Sequence, residues 1–115
     1  MMTKKENEKF IETTLITLNE IKEEARKRCV DVLKQLGGSI EWDWENEDAP
    51  SHISGLFQAD LSDCYITKAY LDEADNIKVC LHAYYLDCED YDDVLFSDEQ
   101  NADYLDLLDH LNDWL

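Results

Sequence analysis

The amphipathic run from Lys4 to Leu36 constrains this chain more than any other stretch, because its period, its start and its stop agree. At 100° per residue, Phe10, Ile11, Thr14, Leu15, Leu18, Ile21, Ala25, Cys29, Val32, Leu33 and Leu36 fall in one stripe roughly 140° wide. The opposite face carries Glu12, Glu20, Glu23, Glu24, Lys27, Asp31 and Lys34. Glu23 precedes Lys27 by four residues and Glu24 precedes Arg28 by four, the favoured order for helical ion pairs. Thr3 and Glu6 spell a capping box, and Gly37-Gly38 supplies the residues that can take the left-handed conformation of a helix end. The pattern predicts one long helix over Lys4 to Leu36, with a stripe wide enough to lie on a sheet. Its seam of Ile11, Leu15, Leu18, Lys22, Ala25, Cys29, Val32 and Leu36 also suits a coiled coil, so a homodimer through this helix is open. Lys22 on that seam reads as a snorkelling side chain.

After the glycines, Ser39 to Glu45 alternates Ile40, Trp42 and Trp44 against Glu41, Asp43 and Glu45, the pattern of a half-buried strand. The stretch around Pro50 reads as a loop, and residues 53–61 as a further strand. Cys64 to Leu71 and Ile77 to Leu86 form a hairpin about the polar turn Asp72 to Asn76. Pairing Leu71 with Ile77 puts Tyr65, Thr67, Ala69, Leu71, Ile77, Val79, Leu81, Ala83 and Tyr85 towards the helix. Cys64, Ile66, Lys68, Tyr70, Lys78, Cys80, His82, Tyr84 and Leu86 fall on the reverse face. A one-residue slip inverts the assignment. Asp87 to Asp93 reads as a charged loop. Ser97 and Gln100 then cap a second helix with Tyr104, Leu105, Leu108, Leu111 and Leu115 inward and Asp103, Asp106, Asp109 and Asp113 outward. The expectation is one α+β domain in two layers: a long N-terminal helix on an antiparallel sheet of three or four strands, with a C-terminal helix.

Charge divides the chain. Residues 1–36 carry eight Lys or Arg against seven acids, whereas residues 37–115 carry only Lys68 and Lys78 against 21 acids, and the whole has a net charge of −18. Such a surface repels phosphate, which argues against direct binding to nucleic acid or an anionic membrane. The polar start Met1 to Glu8 is not a signal peptide, and no apolar run reaches membrane-spanning length, so a cytoplasmic protein is expected. Cys29, Cys64, Cys80 and Cys88 include no C-x-x-C pair and read as reduced thiols.

Catalytic and metal-binding motifs do not assemble from these residues. The Asp87 to Asp98 stretch imitates a calcium loop, but Tyr91 and Asp92 occupy positions that need an oxygen ligand and a glycine. His52, His82 and His110 lack ligand spacing. Cys80 and His82 share a strand face about 7 Å apart, long for a thiolate–imidazole bond. Gly37, Gly38 and Gly55 make no phosphate loop. No cofactor is implied.

The leading expectation is therefore a non-catalytic, acidic binding protein that engages a basic protein as inhibitor, immunity-type partner or nucleic-acid mimic. Asp103, Asp106, Asp109, Asp113, Asp87, Glu89, Asp90, Asp92 and Asp93 would carry it. One alternative is a structural or regulatory subunit that binds through Tyr70, Cys80, His82 and Tyr84. Another is a small enzyme or ligand carrier with a pocket between helix and sheet.

Overall fold

The structure is a computed structural model that describes residues 1–13, 18–42, 51–52, 64–83, 90–96 and 104–115. It has helices α1 (Lys4–Glu12), α2 (Leu18–Gln35) and α3 (Tyr104–Asn112), and strands β1 (Ser39–Glu41), β2 (Ser51–His52), β3 (Cys64–Leu71), β4 (Ile77–Ala83) and β5 (Asp90–Leu95). All strand pairs are antiparallel, in the order β1-β3-β4-β5, with β2 also pairing with β3. The expected α+β class holds: helices cover one face of an antiparallel sheet. Among the described residues, no helix is long and apolar enough to cross a membrane.

The long first helix does not hold. The Thr3–Glu6 capping box forms as read, but α1 stops at Thr13, whose backbone (φ −109°, ψ 37°) has left the helical region. Thr13 donates to the Lys9 carbonyl twice, from its N–H at 3.0 Å and from Oγ1 at 2.7 Å. A β-branched hydroxyl residue that competes for a backbone carbonyl in this way favours an end over a continuation. The contacts show that α1 runs back along α2. Asp31 Oδ2 accepts from Met2 N at 2.9 Å, Gln35 Nε2 donates to the Met2 carbonyl at 2.8 Å, and Arg28 donates to Asn7 Oδ1 at 3.1 Å. Residues 2 and 7 meeting 35 and 28 in that order set α1 antiparallel to α2, and α1 packs chiefly against α3. Thr14 and Leu15, which the stripe places mid-helix, lie outside the described residues.

The stop at the end of α2 is as the glycines suggest. Gly38 N–H reaches the Leu33 carbonyl at 2.7 Å and Gly37 N–H the Lys34 carbonyl at 3.2 Å, the paired bonds of a Schellman cap. Both glycines have positive φ, 92° and 97°. On the surface of α2, Arg28 pairs with Glu24 at 3.0 Å as the spacing predicts. Glu23, however, pairs with Arg26 at 2.7 Å instead of Lys27. The hydrogen bond from Arg26 holds the Glu23 carboxyl below its ordinary value.

Ile40 is half-buried, Trp42 is buried and Glu41 is exposed, which keeps the alternation read for β1. Residues 43–50 and 53–61, including the expected strand at 53–61, lie outside the described residues. The Leu71–Ile77 pairing is present, and Ala69, Ile77, Val79 and Leu81 are buried beneath the helices. Beyond Lys68 the register shifts, so that Ile66 rather than Thr67 opposes Leu81. Ile66, expected on the reverse face, is consequently 2% exposed. The bulge has its own partners: the Thr67 carbonyl accepts from Trp42 N at 2.9 Å and Thr67 Oγ1 donates to the Cys80 carbonyl at 3.3 Å. An extra residue in one strand exchanges its faces, and here it lets Ile66 reach the core.

The turn of this hairpin is held by one carboxylate. Asp72 Oδ1 accepts from the N–H groups of Asn76 and Ala74, both at 2.9 Å. The bond from the Asn76 backbone is the main reason that the Asp72 carboxyl sits below its ordinary value. A depressed folded pKa contributes stability above the unfolded value and loses it as pH falls through the folded one. Carboxyl NMR should therefore find Asp72 titrating below ordinary aspartates, and Asp72→Asn should remove that acid-limb dependence of stability. An ordinary Asp72 titration would mean that these bonds do not persist in solution.

A second correction concerns the acidic stretch. Residues 90–93, read as a loop, belong to β5, which pairs with β4 from His82↔Asp90 to Lys78↔Leu95. The register shifts between Val79 and Leu81, and Asp93 has φ 57°, a left-handed value that aspartate tolerates better than most residues. Val94 packs against the core, so its burial draws the charged residues before it into the strand.

The core unites Ala25, Cys29, Val32 and Leu33 of α2 with the sheet residues above, Trp42, Phe96, and Tyr104, Leu107, Leu108 and Leu111 of α3. Ala25, Cys29 and Val32 of the coiled-coil seam are thus buried in the chain's own interior. Cys29 Sγ donates to the Tyr104 carbonyl at 3.3 Å, and Tyr104 Oη donates to the Phe96 carbonyl at 3.0 Å. Polar groups are buried too. Asn7 and Asn112 are 0% and 2% exposed, and Asn7 Nδ2 donates to Asn112 Oδ1 at 3.2 Å.

Candidate functional site

Two surfaces carry the residues singled out in the sequence, one at the C-terminal end of α3 and one on the face of the sheet away from the helices. On α3, Leu107, Leu108 and Leu111 turn inward, which leaves Asp109 and Asp113 exposed and Asp106 and His110 half-buried. His110 Nδ1 lies 2.9 Å from the Asp106 carbonyl oxygen and 3.6 Å from its carboxylate. A carbonyl can only accept, so Nδ1 carries the proton in this contact. No Lys or Arg occurs anywhere between Val79 and Leu115.

Beside these acids is a cleft of about 310 Å³, lined among the described residues by Trp42, His110, Asp113 and Trp114. Trp42 enters from the end of β1 and is 7% exposed, whereas Trp114 follows α3 and is 51% exposed. Trp114 is positioned by its backbone N–H, which donates to the Leu111 carbonyl at 3.0 Å, so the last turn of α3 holds the outer wall. Trp114 comes one heptad after the buried Leu107, about 20° from it on a helical projection, so the sequence period gave no signal that its indole stays open. Trp42 gave none either, since its place in the alternation reads as core.

On the reverse face of the sheet, Lys68, Tyr70, Lys78, Cys80 and His82 are half-buried. Tyr70 Oη donates to Asp93 Oδ1, and this bond is the main cause of a phenol pKa raised to about 12. The Lys68 ammonium lies 5.3 Å from the centre of the Tyr70 ring. Burial pushes the Cys80 thiol up, and Asp92 adds to the rise. An activated cysteine nucleophile needs the opposite shift.

Asp92 and Asp93 therefore stand with Tyr70 and Cys80, bringing together residues that the sequence assigned to separate surfaces. Asp106, Asp109 and Asp113 belong to the helical layer. Asp90 opens β5, paired with His82, while Asp87, Glu89, Asp103 and Tyr84 lie outside the described residues. Asp92 and Asp93 also have a structural role, because charges and a bulge on an edge strand discourage pairing with another chain. Among the described residues, no three His, Cys, Asp or Glu side chains are grouped to hold a metal ion.

No protein-family model matches this chain, and neither a curated protein nor a solved structure does. The functional reading rests on these side chains.

Proposed function

We propose that this chain is a non-catalytic acidic binding protein that engages a basic protein through the C-terminal end of α3. The observation that carries the reading is the junction of exposed Asp109 and Asp113 with the half-exposed indole of Trp114 at the mouth of a cleft. Charge alone is common on a solvated helix, but a large aromatic left open beside it has the composition of a binding hot spot. Asp106, Asp109 and Asp113 recur at three and four residues, about 4.5–6 Å of helix rise, so a nucleic-acid mimic is one form of this role. Inhibition or immunity-type neutralisation of a basic protein is another. A cytoplasmic setting suits a chain whose four cysteines include no C-x-x-C pair.

The test compares capture from host lysate by the wild type and by Asp106→Asn/Asp109→Asn/Asp113→Asn, washed at low and at physiological salt. The expected result is a basic protein that is retained by the wild type, lost from the triple variant and released by salt, since exposed charges are screened over about 8–10 Å. Equal retention by both proteins, or a complex indifferent to salt, would overturn the reading.

A further inference from the structure

We infer that the Trp42–Trp114 cleft is a subsite for an arginine side chain presented by a basic polypeptide. The inference rests on the proposed acidic-binding role and names what that surface recognises. Three features of the cleft favour a cation, and they are independent of one another. Its aromatic walls among the described residues, Trp42 and Trp114, are indoles, the rings whose faces attract cations most strongly. Asp113 puts a carboxylate on the lining. The cleft also sits at the C-terminal end of α3, where aligned peptide dipoles leave partial negative charge, and His110, Asp113 and Trp114 all come from that end.

Shape and hydration select among cations. A guanidinium is flat, weakly hydrated and able to stack on an aromatic face while its edge donates to a carboxylate. An ammonium is a compact, strongly hydrated charge that gives up more on leaving water. Trp114, open to solvent on the outer side, can meet the side chain, and Trp42, held in the core, gives it a fixed floor. At about 310 Å³ the cleft is at the small end of the range for ligand sites, a size for one side chain and not for a folded element. Asp106 and Asp109 on the same helix would attract the rest of a basic segment without entering the cleft.

The experiment titrates the protein with decaarginine and decalysine peptides and with N-acetyl-arginine amide, read by tryptophan fluorescence and calorimetry at low and physiological salt. The same titrations use Trp114→Ala and, as the conservative variant, Trp114→Phe. Trp42 is left intact because it belongs to the core. The expected result is tighter binding of decaarginine than decalysine, a loss of roughly tenfold in Trp114→Ala and partial retention in Trp114→Phe. N-acetyl-arginine amide should compete weakly for the same fluorescence change, which identifies the side chain as the recognised group. If both peptides bind equally and Trp114→Ala changes nothing, the cleft assignment is overturned while acidic engagement stands. If neither peptide binds even at low salt, both readings fail.

Discussion

Leu108→Ala should cost about 2–5 kcal/mol of folding stability, the cost of deleting a buried leucine and leaving a cavity. Leu108 is 0% exposed on α3, the helix that packs against both α1 and α2. Total stability for a domain of this size is roughly 5–15 kcal/mol, so the variant should be close to unfolding under mild denaturant. The small gain in helix propensity from alanine is only tenths of a kcal/mol and cannot offset the cavity. Urea denaturation should show a lower midpoint at unchanged slope, the sign of lost stability without a change in what unfolds. Leu105→Ala, at a half-buried position on the same helix, is the control and should lose less. Equal losses would mean that α3 does not dock in the orientation described.

The position of Leu108 was readable beforehand, and the reason separates what this sequence discloses from what it conceals. Periodicity reports which face of an element is buried, and it correctly turned Leu108 and Leu111 of α3 and Val79 and Leu81 of β4 inward. It does not report whether two in-phase helical segments are one rod or a folded pair. Phe10 and Ile11 on α1 and Ala25 and Cys29 on α2 serve the same core from antiparallel helices. Neither Gly nor Pro stands between the two segments in the sequence. The end of α1 is marked by Thr13, through a side-chain bond to Lys9 that composition alone cannot announce. The Thr67 bulge is a similar case, since strict alternation assumes a register that one extra residue exchanges. For the candidate site, the outward aspartates of α3 followed from the helical period. The cleft did not, because it joins Trp42 to Trp114 across 71 intervening residues, a proximity set by packing.

Asn112→Ala should be the second severe substitution, at about 2–4 kcal/mol, because it leaves the buried Asn7 amide N–H without its acceptor as well as removing atoms. Asn112 Oδ1 accepts from Asn7 Nδ2 at 3.2 Å, and its Nδ2 donates to the Lys4 carbonyl at 3.1 Å. Both of those partners on α1 would lose their bond. Asn7 has no exposure with which to recover water. Replacing the pair together, Asn7→Leu/Asn112→Leu, should cost less than the two single leucine variants summed, because neither amide is then left facing an apolar partner. Recovery should be incomplete, since the Lys4 carbonyl still lacks its donor and Arg28 loses Asn7 Oδ1 while keeping Glu24. Chemical denaturation of all four proteins measures the coupling, and strict additivity would show that the two amides do not act as a pair. The double variant also tests what the polar pair is for. Sliding α1 along α3 separates both amides from their partners, whereas leucines tolerate such a slip, so the pair fixes the register of the helices. Amide hydrogen exchange should accordingly be faster across Lys4–Glu12 in the double variant than its global stability alone would allow. Unchanged protection of α1 would assign its register to apolar packing instead.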